Sequence, residues 1–280
     1  MCALFKVAGS AQAAWATYDL AADLVGSGTS TTGIVVSGSE LSAVGVGSEV
    51  RATDGLALFT AAGTSSRFKE LAFDPTKQTL QSPWTSVASL VGGGGGVVGV
   101  ATSSSGSGVF SAVFPSQFTT WGPSSAEPLR SLVVDSTSAY FVRDSGSYSV
   151  ACRSGVGMGS FSCHSVAMSD RTAALALGAG NTLYASVTRA GSSVIQVRDS
   201  LTLALRDEIP LPGTVGACTS LMPTCLSGNP VLGCVDSVGT IVFISTDARG
   251  IDTTADWPME GHDPGKTFNT STSLAPYACP

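Results

Sequence analysis

Residues Ala139 to Ala151, AYFVRDSGSYSVA, set two short runs of alternating apolar and polar residues on either side of Asp144-Ser145-Gly146-Ser147. Alternation at period two places one face of each run on a core, and Asp-Ser-Gly supplies the positive φ that a tight hairpin turn needs. The same unit can be followed along the chain. ALFTAA and FKELAF flank Gly63 to Ser66, VVGVATSSSGSGVFSAVF fills 97–114, LYASVTRAGSSVIQV fills 183–197 and PVLGCVDSVGTIVFI fills 230–244. Leu4 to Leu20 reads as a further unit, and Gly33 to Val46 is strand-like.

The clear units begin near 56, 97, 139, 183 and 230, so one hairpin recurs every 40 residues or somewhat more, roughly the length of a β-propeller blade. Helical repeats of that length would show 3.6-residue periodicity, and none is sustained. One small sheet cannot bury its faces alone, whereas a ring of sheets buries every inner face and leaves short, protected edges. The sequence therefore predicts an all-β propeller of about six four-stranded blades over residues 1–250. Residues 251–280 are expected as an extended C-terminal segment packed on the propeller. Asp256 onward shows no strand alternation, carries Pro258, Pro264 and Pro276, and offers Trp257 and Met259 as buried anchors.

Composition narrows the setting. Charged residues are 12% of the 280, about half the roughly 25% usual in soluble proteins, while hydrophobic residues reach 43%. That balance argues against disorder, which needs low hydrophobicity and high net charge. Mean hydropathy is +0.30, yet no run approaches the roughly 18 apolar residues of a spanning helix. The net charge of -6, without a basic stripe, argues against nucleic acid as a partner.

Seven cysteines are many for a reducing compartment and point to an oxidising one. Cys152 and Cys163 bracket a Gly/Ser-rich loop whose closure would add about 3 kcal/mol. Cys218, Cys225, Cys234 and Cys279 are the other disulfide candidates, their pairing open, with Cys2 the odd one. Zinc is disfavoured, because the spacings lack a Cys-x2-4-Cys knuckle and neither histidine lies at ligand spacing. MCALFKVAG lacks the basic start and long apolar centre of a signal peptide and reads as a strand. An exported protein would then have had its leader trimmed or lost.

Catalytic motifs fail on context. Gly92 to Gly96 has no following Lys-Ser/Thr, and Gly265-Lys266-Thr267 has Glu260 where a phosphate loop needs glycine. His164 beside Cys163 is expected as a surface residue after a disulfide cysteine, since neighbouring side chains on a strand point to opposite faces. His262-Asp263 is the best polar pair, read as fixing the tail rather than as a base with its carboxylate. Asp207-Glu208, or Glu40 with Glu49, remain open as paired acids for glycoside cleavage.

Trp257, Pro258, Met259, Gly261, His262, Asp263, Pro264 and Thr267 form the run WPMxGHDPxxT. It resembles the terminal signature of bacterial secreted propellers in the PQQ-like, or quinoprotein-like, repeat superfamily. The resemblance implies a propeller of the non-catalytic type, since the adjacent cysteine pair and the repeated blade-docking tryptophans of the quinone enzymes do not occur here. No catalytic residue, cofactor or metal is assigned. The expected function is a non-enzymatic scaffold, secreted, periplasmic or on the cell surface, that binds protein or carbohydrate. The alternative is a secreted propeller enzyme, either a glycosidase or lyase or a degenerate quinoprotein dehydrogenase.

Overall fold

The computed structural model describes residues 117–155, 160–164, 170–246, 250–260, 262–264 and 273–280, with the strands that lie between 2 and 113. Side chains are described from 125 onward and at 91, 98–100 and 106–111. Strand follows strand in antiparallel meanders. β1 (Cys2–Lys6), β2 (Ala13–Tyr18) and β3 (Leu24–Ser30) form the first sheet, and β4 (Val50–Thr53), β5 (Ala57–Ala62), β6 (Ser65–Glu70) and β7 (Thr79–Ser82) the second. β8 (Ser86–Gly93), β9 (Gly96–Ser103), β10 (Gly106–Val113) and β11 (Gln117–Ser125) form the third.

The fourth unit is β12 (Leu129–Val134), β13 (Ser138–Asp144), β14 (Ser149–Gly155) and β15 (Phe161–Cys163). The fifth is β16 (Arg171–Gly178), β17 (Thr182–Arg189), β18 (Ser192–Asp199) and β19 (Leu205–Pro210), tied to the fourth by one parallel bridge, Ser149 to Arg171. β20 (Cys218–Leu226), β21 (Asn229–Asp236) and β22 (Ile241–Ser245) complete the series. Gly33 to Val46 lies outside the described residues.

The first strands of neighbouring units pack on one another, β4 on β8, β8 on β12, β12 on β16 and β16 on β20. They are the inner strands of a β-propeller, and the five clear hairpins of the sequence are the second and third strands of their sheets, whereas Leu4 to Leu20 covers the first and second described strands of the first sheet. The turn of the type hairpin uses Gly146 at φ 81°, as the Asp-Ser-Gly sequence requires. The strands before and after it are buried differently from a half-solvated hairpin, because β13 is covered on both faces. Ala139 and Phe141 pack toward the third unit, and Tyr140 and Val142 toward the fifth.

Each of the three seams whose side chains are described has its own apolar core. Val98, Val100 and Val109 meet Leu132, Phe141 and Val150 between the third and fourth units. Val142 and Ala151 meet Leu175, Leu183 and Val187 between the fourth and fifth. Ala176, Tyr184 and Ile195 meet Leu221, Leu232 and Cys234 between the fifth and sixth. On the sixth unit, β22 is the last strand in its sheet and turns Ile241 and Phe243 outward, while Val242 and Ile244 pack inward.

Candidate functional site

The C-terminal segment reaches the ends of the inner strands. Trp257 and Val134 exchange two backbone hydrogen bonds, N–H to O at 2.8 Å each way, and the Leu177 N–H donates to Pro258 O at 2.6 Å. Ile251 bridges to Gly178, where a Cβ would lie 2.6 Å from the Tyr184 ring and 3.3 Å from Gly250 O, so only glycine lets the segment cross there. Ala255 enters the seam between the fourth and fifth units, Trp257 that between the third and fourth, and Met259 that between the fifth and sixth. Five extended residues span at most about 17 Å. Three successive seams come that close only near the propeller axis, so this stretch crosses the hub.

His262 and Asp263 lie in the same place, 2% and 0% exposed. His262 adopts φ 77° and sets its Nδ1 3.3 Å from Asp263 Oδ2, with its ring edge-on to Trp257 at 5.2 Å. The pair is buried, and its geometry serves the turn after Met259, whose carbonyl accepts from the His262 N–H at 3.0 Å. Pro264 follows, partly exposed. Gly261 and Thr267 lie outside the described residues.

Three disulfides lie in the fourth and sixth units and the C-terminal segment. Cys152 pairs with Cys163 across β14 and β15, Cys218 with Cys234 within the sixth unit, and Cys225 with Cys279. The last ties the end of the C-terminal segment to β20. Among the described residues no group of three His, Cys, Asp or Glu side chains is placed to hold a metal ion. No described helix is long and apolar enough to cross a membrane.

A cavity of about 420 Å³, of the size that holds small ligands, opens at the outer part of the seam between the fourth and fifth units. Its groups come from successive strands. Asp170, just before β16, receives the Arg189 guanidinium as a fork, Nε to Oδ1 at 3.1 Å and Nη2 to Oδ2 at 2.9 Å. Arg189 also donates to both oxygens of Glu208, at 3.1 and 3.2 Å. These two carboxylates raise its pKa. Glu208 accepts from Gln196 Nε2 at 2.8 Å, which with Arg189 holds its carboxyl below the usual range.

Gln196 and Arg198 share the seam face of β18 because two residues along a strand return to one side. Gln196 Oε1 accepts from Arg198 Nε at 3.0 Å and Nη2 at 2.8 Å, and Arg198 Nη1 donates to Leu203 O at 2.7 Å. Arg198 is 5% exposed, and burial lowers its pKa. Among the described residues its hydrogen-bond acceptors are neutral. One N–H on each of Nη1 and Nη2 is left over, since a guanidinium has five.

His164 completes the floor. It is 8% exposed, so the surface position expected from its neighbour Cys163 is overturned. His164 still points opposite to Cys163, its N–H donating to Ala151 O at 3.3 Å in continuation of the β14–β15 ladder, but that opposite face is covered by the fifth unit and not by solvent. Its Nδ1 lies 3.0 Å from Ala151 O. A carbonyl only accepts, so Nδ1 carries the hydrogen and Nε2 is a bare lone pair. That Nε2 is buried without a partner. Burial, with the Arg198 charge adding to it, pulls the His164 pKa down to about 4.

Asp207 and Glu208 do not form a catalytic pair, because adjacent residues on β19 face opposite ways. Glu208 joins the cluster above, while Asp207 lines a separate cavity of about 630 Å³ with Arg206 and Tyr184, on the side of the sixth unit. Glu40 and Glu49 lie outside the described residues. Sequence reasoning missed Arg198, Gln196, Asp170 and Arg189. One signal was present: Val194, Gln196 and Arg198 alternate in VIQVRD, which sets two polar residues on a face that starts apolar.

Comparison with solved structures places the chain among known propellers. It superposes on the Dos1 propeller with a TM-score of 0.51 at 8% identity, covering 86% of this chain and 61% of that one. For Kluyveromyces lactis Hsv2 the TM-score is 0.50 at 8% identity, with 84% and 67% covered. For a prolyl endopeptidase it is 0.50 at 9% identity, with 72% and 34% covered. The chain spans 43% of the length of a Mycobacterium tuberculosis puromycin-hydrolyzing peptidase that it also resembles. No protein-family model matches the chain, and no curated protein matches it by sequence. At these identities the likeness establishes the fold, a β-propeller.

Proposed function

We propose that this protein is a non-enzymatic binding module, a propeller in an exported or cell-surface setting that presents rigidly held groups to a protein or carbohydrate partner. One observation carries the reading: the chain's own tail lies across the ends of the inner strands β12 and β16. Ala255, Trp257 and Met259 pack into three seams there, and the best base–carboxylate pair, His262 with Asp263, is buried beside Trp257. A ring of strands gathers groups from several blades most readily at its axis. A tail laid there favours a role for the seams and outer loops. Three disulfides support an oxidising compartment. The run from Trp257 to Pro264 supports kinship with the non-catalytic PQQ-like propellers, with 251–280 as a segment laid on a body of about six blades.

The test uses the disulfide-intact protein on a glycan array and in cell-surface proximity labelling. It is run beside chromogenic glycoside and lyase substrates and a dye-linked dehydrogenase assay with added quinone and calcium. Saturable binding without turnover is the expected result. Turnover that survives repurification would replace the binding module with an enzyme.

A further inference from the structure

We propose that the cavity between the fourth and fifth units binds a singly charged carboxylate with a neighbouring hydroxyl, the chemistry of an acidic sugar. The proposal deepens the binding-module reading and rests on it. Its basis is a mismatch between what the cavity floor offers and what the chain supplies. Arg189 uses both nearby carboxylates, Asp170 and Glu208. Arg198, deeper in the seam, is left with an amide oxygen and a backbone carbonyl. Glu208 and Asp170 act on it through their charge alone, without a hydrogen bond. A buried cation with no carboxylate bonded to it is costly, and an anion that enters beside it recovers part of that cost. The N–H groups left on Nη1 and Nη2 are the donors for it.

His164 then decides between anions. Its Nε2 is a buried lone pair with no partner, and a simple carboxylate brings no hydrogen to it. A hydroxyl beside the carboxylate does. A phosphate dianion fits worse, because its second charge is repelled by Asp170 and Glu208. The floor is held in place beforehand, since the Cys152–Cys163 disulfide fixes the strand that leads into His164 and Leu203 O fixes the guanidinium. Thr202, Ala204 and Leu205 are exposed at the rim of the cavity.

The experiment is calorimetric titration of the intact protein at pH 7 with glucuronate, acetate, glucose and phosphate. A glucuronate-containing oligosaccharide is then compared with the free acid. Glucuronate should bind about tenfold more tightly than acetate or glucose, the contribution of one good hydrogen bond. Arg198→Met should weaken it at least about tenfold, because a charge-assisted pair is lost. Ala204→Trp, at the exposed rim, should do the same by obstruction and keeps the test valid if the buried substitution fails to fold. With two histidines in the chain, the ¹⁵N signal that vanishes in His164→Gln belongs to His164. It should shift on adding glucuronate and stay put with glucose. Equal binding of acetate and glucuronate would overturn the hydroxyl assignment. Silence from every probe, with partner binding retained on the array, would sink the site and spare the module. Hydrolysis of the glucuronate-containing oligosaccharide would uphold the site and overturn the module.

Discussion

Trp257→Ala tests the claim that the tail holds the hub together. The indole is 1% exposed and packs among Leu132, Val134, Phe141 and the valines of the third unit. A tryptophan buries about 150–250 Å², and at roughly 25 cal/mol per Å² its truncation removes about 4 kcal/mol, within the range seen for large aromatics cut to alanine. The two backbone bonds to Val134 survive the change, so the loss reports the side chain alone. Urea unfolding followed by far-UV circular dichroism gives the difference, with Trp257→Phe, expected to lose about half as much, as the volume control. The Cys225–Cys279 disulfide adds a sharper arm. If the segment acts as one strap, Cys279→Ser after Trp257→Ala should cost at least about 1 kcal/mol less than it does alone. A loss below about 1 kcal/mol for Trp257→Ala would refute the packing. Strict additivity of the pair would refute the strap.

Four further changes probe other parts of the molecule. Cys279→Ser, which opens a connection spanning 54 residues, should lower stability by about 4 kcal/mol, against about 3 for Cys163→Ser; thermal melts that reverse this order would count against the chain-entropy account. His164 is neutral when folded, with a pKa near 4 against about 6.5 unfolded, so protons bind the unfolded state first and stability falls by about 3 kcal/mol as pH drops from 6.5 to 4. His164→Gln should flatten that part of the urea-midpoint profile, and an unchanged slope would place the ring in water. Arg189→Met leaves buried Asp170 without its fork and should cost about 2 kcal/mol in chemical denaturation; a neutral result would mean Asp170 finds water instead. Gly178→Ala drives a methyl into the Tyr184 ring and toward Gly250 O, and should lower stability by about 2 kcal/mol. Unchanged stability there would show that the tail crosses elsewhere.

The middle hairpins were legible because two local signals coincide in them, alternation and a glycine turn. Gly146, Gly191 and Gly239 all take positive φ at the turns their sequences mark. Most of the strands on either side of those hairpins were not legible. β16 is an inner strand buried nearly throughout, so RTAALALG shows no alternation to read. β15 has three residues, too few for any period. Trp257 and Met259 were recognisable as anchors from their bulk in a proline-rich stretch. That they enter different seams depends on where the ring brings the seams together, which no local pattern encodes. His164 failed for a related reason: alternation turned it away from Cys163 as expected, but the face it turned to is covered by the fifth unit, which no local pattern encodes.

The seam between the fourth and fifth units bears on function because its two halves differ. Near the hub it is Leu175, Leu177, Leu183 and Ala185, closed by Ala255 from the tail. Toward the rim the same interface carries Arg198, Gln196 and His164 at the floor of a cavity. Burying a guanidinium there weakens the blade contact relative to apolar residues of equal volume. The apolar inner half offsets that loss and fixes the spacing of the two sheets. The polar outer half can then stay incompletely satisfied without the blades collapsing onto it. A polar group placed for stability alone would have been given a carboxylate partner. Asp170 and Glu208 act on Arg198 through their charge, but both turn their hydrogen bonds to Arg189 instead. Removing Arg189 should therefore free a carboxylate for Arg198, so that Arg189→Met weakens glucuronate binding even though Arg189 supplies none of the proposed floor contacts.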